Sequence, residues 1–193
     1  GTLDLLSRDV FAFEGDVSLK MGESLILRRG LIAAADPLTP TAVSLSAAYM
    51  LLDGWVAPET GESEVVAGIR TNNSPSFLYP GSSTNLGRMS ISADLIDIEN
   101  QVMVGAHDFT GRVGVPSEQQ SIDLPGFATI DLTSRTDIRF TNGQLATSGD
   151  TTLTSSQIYP TTMSTGMIRL GHGRDASLGR GIVRLPDVPR PRD

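Results

Sequence analysis

The 193-residue chain is 39% hydrophobic but only 5% aromatic, with 20 glycines and many Ser and Thr, a composition suited to short strands and tight turns rather than long helices. With 15 Lys and Arg against 22 Asp and Glu, the formal charge is −7, which argues against nucleic acid as a partner because phosphate contacts need clustered positive charge. The absence of cysteine removes disulfides, thiolate metal sites and thiol catalysis together.

From the N-terminus, paired apolar alternations recur. They are Leu3-Asp4-Leu5 to Val10, Val17-Ser18-Leu19 to Leu25-Ile26-Leu27, and Val43-Ser44-Leu45 to Met50-Leu51-Leu52. Each reads as two short half-buried strands with a bend between them. Residues 53–86 form an excursion containing Trp55, the apolar run Glu64 to Ile69, and an Asn/Ser/Pro/Gly-rich loop from Asn72 to Gly87 around Phe77, Leu78 and Tyr79. The alternation resumes at Met89-Ser90-Ile91 to Leu95-Ile96-Asp97-Ile98, followed by Val102-Met103-Val104 and a second excursion over 105–125. Ile130-Asp131-Leu132 to Ile138-Arg139-Phe140 and the weaker Thr151-Thr152-Leu153 to Ile158 complete the series. Residues 166–193, with Arg169, Arg174, Arg180, Arg184, Arg190 and Arg192 and with Pro186, Pro189 and Pro191, read as an Arg/Pro-rich terminal strand and tail. No run of roughly 18 apolar residues predicts a membrane span. No secretory leader is recognisable, so the signal of an exported protein is expected outside this chain.

The second apolar anchors Leu5, Leu19, Leu45, Ile91, Leu132 and Leu153 are spaced by 14, 26, 46, 41 and 21 residues. Halving the larger gaps gives a period of roughly 20 to 26 residues, as for stacked solenoid turns, with the missing copies expected near 64–69 and 102–104. The spacing of 14 fits either a short turn or two anchors within one turn. Positions between the anchors (Asp4, Ser18, Ser44, Ser90, Asp131, Thr152) and the next outward set (Lys20, Ser46, Ser92, Thr133, Thr154) are expected to stack into polar ladders that hydrogen-bond between neighbours. The expected fold is all-β, a single-stranded parallel β-helix over residues 1–165.

The stretch Gly126-Phe127-Ala128-Thr129-Ile130-Asp131-Leu132-Thr133-Ser134-Arg135 with Asp137-Ile138-Arg139-Phe140, then Gln144 to Asp150 and Gln157-Ile158-Tyr159-Pro160-Thr161-Thr162, resembles the C-terminal part of filamentous haemagglutinin-like exoproteins of Gram-negative bacteria. The resemblance is clearest over residues 87–162. It implies a right-handed β-helix, export through an outer-membrane transporter partner, and a place at the cell surface, where a host or neighbouring-cell receptor or glycan is the expected partner. No catalytic motif comes with it, and no enzyme activity, cofactor or metal is expected.

Individual residues fit that outline. His107 and His172 sit in polar, glycine-flanked segments and read as loop histidines rather than metal ligands or a catalytic base. Asp94, Asp97 and Asp131 are the candidates for the alternative reading, a β-helix carbohydrate-active enzyme. A passive stalk presenting a toxin or binding domain is the third reading. Trp55, Phe77 and Tyr79 are the candidate ligand-binding residues, because loop aromatics can stack on sugars or fill a partner's pocket; otherwise they fold back over an apolar strip on the exterior.

Overall fold

The computed structural model describes residues 1–7, 9–56, 64–66, 69–71, 78–79, 84–108, 123–170 and 182–184, with side chains described for 1–7, 9–56, 85–106 and 124–170. These residues form an all-β protein with no helix among them. In chain order the strands are β1 (Thr2–Leu6), β2 (Val10–Phe13), β3 (Val17–Lys20), β4 (Ser24–Arg28), β5 (Leu31–Ala34), β6 (Ala42–Asp53), β7 (Glu64–Val66), β8 (Ile69–Thr71) and β9 (Leu78–Tyr79). They continue with β10 (Thr84–Val104), β11 (Ala106–Asp108), β12 (Asp123–Leu124), β13 (Gly126–Ser134), β14 (Asp137–Thr147), β15 (Asp150–Thr154), β16 (Gln157–Pro160), β17 (Gly166–Leu170) and β18 (Ile182–Arg184).

The main sheet has 13 strands, and every pairing described within it is parallel. Its strands fall into three rows. The first runs β3, the start of β6, the start of β10, β13, β15 and β18. The second runs β1, β4, the end of β6, the middle of β10, the start of β14 and β16. The third runs β2, β5, the end of β10, the end of β14 and β17. The chain visits the rows in turn, except that the pass through β6 has no third-row strand, so the end of β10 lies beside β5 there.

Inward positions stack in register because the pleat repeats every two residues. Leu19, Leu45, Ile91, Leu132 and Leu153 form one column in the first row. Leu3, Leu25, Met50, Ile96, Ile138 and Ile158 form one in the second row, and Leu5, Leu27, Leu52, Ile98, Phe140 and Pro160 form its neighbour. Apart from Pro160, which is exposed, these residues belong to one continuous apolar core. The anchors read from the sequence therefore share a column from Leu19 onward, whereas Leu5 pairs with Leu27 in another row. The 14-residue spacing separates two rows and is not a short turn.

The halved gaps are corrected by the pairing. Leu45 neighbours Ile91 directly, and Ile91 neighbours Leu132, so no further pass lies between them. Residues 64–66 and 69–71 instead pair antiparallel as a separate two-stranded sheet. Val102-Met103-Val104 is the third-row part of the same pass as Met89 to Ile98. It reads as a solid apolar run because the third row is covered on both faces, as parallel strands usually are. At the far end, β17 joins β14 and β18 joins β15, so residues 166–170 and 182–184 continue the rows.

Two local devices hold this arrangement. Where the chain turns from the second row to the third, Arg29, Asn100, Asn142 and Met163 take positive φ angles of 63°, 54°, 47° and 60°. Asn tolerates this left-handed region better than most residues, which accounts for Asn100 and Asn142 at two of the corners. Where the second excursion separates β10 from the next pass, ion pairs Arg88–Asp131 (3.3 Å), Asp94–Arg135 (3.0 Å) and Asp97–Arg139 (2.7 Å) bridge the junction. A one-residue slip would exchange the core and solvent faces and misalign all three pairs.

Candidate functional site

The two excursions meet. β9 and β12 both pair antiparallel with β11, placing the backbone of His107 between Tyr79 on one side and Asp123 on the other. The main-chain nitrogen of Ala34 donates to the carbonyl of Pro125 at 2.9 Å, tying the end of the second excursion to the third row. An apolar cluster of Leu31, Trp55, Met103, Ala106 and Ala146, with Val10 and Leu124 packed against it, lies outside the main core. Leu31, Met103 and Ala146 belong to outward positions of the third row, so this cluster covers its exterior.

Trp55 is 3% exposed within that cluster and makes an antiparallel bridge with Gln101. Its indole folds back over an apolar strip on the exterior. Phe77 lies outside the described residues, and of Tyr79 only the backbone pairing with His107 is described. The loop from Asn72 to Phe77, His172 and the glycine-rich Gly171 to Gly181 also lie outside them.

The carboxylates considered for catalysis do not converge on one surface. Asp131 is on the exterior of the first row, Asp97 on the exterior of the second, and Asp94 at the corner between them. Asp97 is 7% exposed although it points outward. Arg139 donates from Nε to Oδ1 and from Nη2 to Oδ2, both at 2.7 Å, and the Tyr49 hydroxyl donates to Oδ2 at 2.8 Å. Burial, and next the bond to Asp97, push the Tyr49 hydroxyl well above its usual range, and the bond to Asp97 raises the Arg139 guanidinium. The group is a saturated cross-strand clamp over three successive passes. No group of three or more metal-ligating side chains suited to a metal ion occurs among the described residues.

One column over, Glu99 stacks directly beside Asp53, which is held by Arg28 at 3.6 Å and by Asn100 at 2.7 Å. Burial raises the Glu99 carboxyl above its ordinary value; the charges of Asp53 and Asp97 add to this, and Arg28 opposes it. A carboxyl whose folded pKa is raised stabilises the fold below its ordinary value and loses that contribution as pH rises through the raised one. Glu99→Gln is therefore expected to raise the unfolding midpoint near pH 7, with the gain disappearing at about pH 3.5, where both side chains are neutral. Thermal unfolding of both proteins at the two pH values checks this.

The polar ladders differ from the expectation. In the second row, hydroxyls do link neighbouring passes, Ser24 to Thr2 at 2.9 Å and Thr141 with Thr161 at 3.2 Å. Asp4 belongs to this row, paired with Arg28 at 3.1 Å, and not to the first. In the first row, Ser18, Ser44, Ser46, Ser90, Ser92, Thr133, Thr152 and Thr154 make no side-chain hydrogen bond to the protein among the described residues.

Three features of the fold lie outside the alternation pattern of the sequence. Asn85, wholly buried, donates to the carbonyls of Asp36 and Thr39 and accepts from the Gly87 nitrogen, fastening the start of β10 to the loop before β6. Thr147 and Thr151 occupy inward positions and bond each other at 2.6 Å, satisfying two buried hydroxyls. The Asn100 and Asn142 corners are the third, and Asn at a strand end is the signal that would have found them.

No protein-family model, no curated protein and no solved structure matches the chain.

Proposed function

We propose that the chain is a segment of the shaft of a secreted, filamentous haemagglutinin-like surface protein, built as a right-handed parallel β-helix and serving adhesion or surface presentation rather than catalysis. The observation that carries this reading is the set of three in-register parallel rows around one aliphatic core. Such stacking lengthens a rod by about 4.8 Å per pass without a new fold. The right hand is supported by the chirality of parallel crossovers, which are right-handed in about 98% of cases. Export through an outer-membrane transporter, a location at the bacterial surface and a receptor or glycan partner rest on the resemblance of residues 87–162. The meeting of both excursions in one antiparallel sheet beside the shaft supports a receptor-binding role for the excursions.

The test is binding of the purified chain to cells, with and without residues 72–83, a deletion that leaves β10 and Asn85 in place. Binding lost on deletion is the expected result. Absence of binding by any fragment favours a passive stalk. Polysaccharide depolymerisation abolished by Asp97→Asn contradicts the non-catalytic reading.

A further inference from the structure

We infer that the exterior of the first row is a binding face for an uncharged, hydroxyl-rich linear polysaccharide lying along the stack. This deepens the adhesion reading above and rests on it for its biological setting.

The face consists of two adjacent outward columns. From β3 to β15, Ser18, Ser44, Ser90, Asp131 and Thr152 make one, and Lys20, Ser46, Ser92, Thr133 and Thr154 make the other; Ile182 and Arg184 of β18 hold the next register positions. Parallel pairing fixes their spacing at about 4.8 Å along the stack and about 6.7 Å across it. The eight hydroxyls are exposed or half-buried and have no protein partner among the described residues, unlike the bonded hydroxyls of the second row. Each offers one donor and two acceptor positions, which is the complement a sugar hydroxyl needs.

Charge narrows the ligand. Within a chain of net charge −7, the part of this face between β3 and β15 carries Lys20 against Asp131, and Asp131 is itself held by Arg88 at 3.3 Å. Asp16 and Arg88 balance each other at the edge of a shallow open groove of about 430 Å³ lined also by Ser18, Ala42, Ser44 and Ser90. A polyanion or polycation finds no complementary field there. A protein partner finds no aromatic or large apolar anchor in either column between β3 and β15. The strands beneath are paired on both sides from β6 to β13, so the backbone spacing of the array is set before binding and less ordering opposes association.

The experiment is electrophoresis of the full chain through gels containing hydroxyethyl cellulose or galactomannan, with heparin as the charged comparison. Retardation by a neutral polymer is expected. Ser44→Val, Ser90→Val and Ser92→Val together keep strand-forming side chains and remove three hydroxyls, and should weaken retardation at least about tenfold. The corresponding triple Ser→Thr protein should retain it, as should Gln157→Val on the second row. Retardation by heparin alone, by no polymer, or by a neutral polymer with equal strength for the Val and Thr triples overturns the inference. Whole-cell binding measured with the same proteins separates the two readings. Cell binding that survives the Val triple while neutral-polymer binding is absent overturns this inference and leaves adhesion standing. Neutral-polymer binding lost in the Val triple without any cell binding supports the inference and tells against adhesion.

Discussion

Asp97→Ala is expected to destabilise the fold by about 2–3 kcal/mol, a large effect for a residue on the outside of a sheet. The reason is what it leaves behind. Asp97 takes two bonds from Arg139 and one from Tyr49, and its side chain is only 10% exposed. Removing it strands a guanidinium and a phenol that are partly withdrawn from water. The guanidinium is about one-third exposed, which keeps the expected cost below that of breaking a fully buried pair. Denaturant unfolding should show a lower midpoint with an unchanged slope. Arg139→Gln added to Asp97→Ala should recover part of the loss, since the stranded charge is then gone. A change below about 0.5 kcal/mol for Asp97→Ala would contradict the clamp.

Ile98→Ala should cost more, about 3–4 kcal/mol. Ile98 is fully buried in the column between Leu52 and Phe140, with strands paired on both sides, so the cavity cannot collapse easily. Leu19→Ala, in the first row, is expected to cost less than half as much. Leu19 is only partly buried, and β3 pairs with one described neighbour, β6. The ratio between the two losses, measured by equilibrium unfolding, reports how strongly each pass depends on having neighbours on both sides.

The sequence was informative wherever one face of a strand meets solvent. In the first and second rows the alternation Val43-Ser44-Leu45 or Met89-Ser90-Ile91 exposes the period of two directly, and the columns from Leu19 to Leu153 followed from it. It misled in the third row, where covering by Trp55, Ala106 and Leu124 makes both faces apolar and erases the alternation in Val102-Met103-Val104. Spacing alone also could not distinguish a missing pass from an inserted excursion. A gap of 46 residues between Leu45 and Ile91 is two periods numerically but one neighbour relation physically. Among the candidate residues, the outward direction of Asp97 was legible from Ile96 and Ile98. Its burial was not, because Tyr49 and Arg139 reach it from 48 and 42 residues away. Trp55 stands out in the sequence as a loop aromatic, but its cluster is assembled by contacts that no local pattern encodes.

The stacking itself can be tested by cross-linking, since the chain has no cysteine of its own. Ser44 and Ser90 are register partners on neighbouring passes, and Asp131 is one pass further on. Neighbouring strands lie about 4.8 Å apart, within disulfide reach, whereas two strands span about 9.6 Å, beyond the limit of roughly 7 Å. The protein carrying Ser44→Cys and Ser90→Cys should close a disulfide on mild oxidation while remaining folded, and the protein carrying Ser44→Cys and Asp131→Cys should not. Failure of the first pair to close, or closure of the second in its place, would contradict direct stacking of these passes.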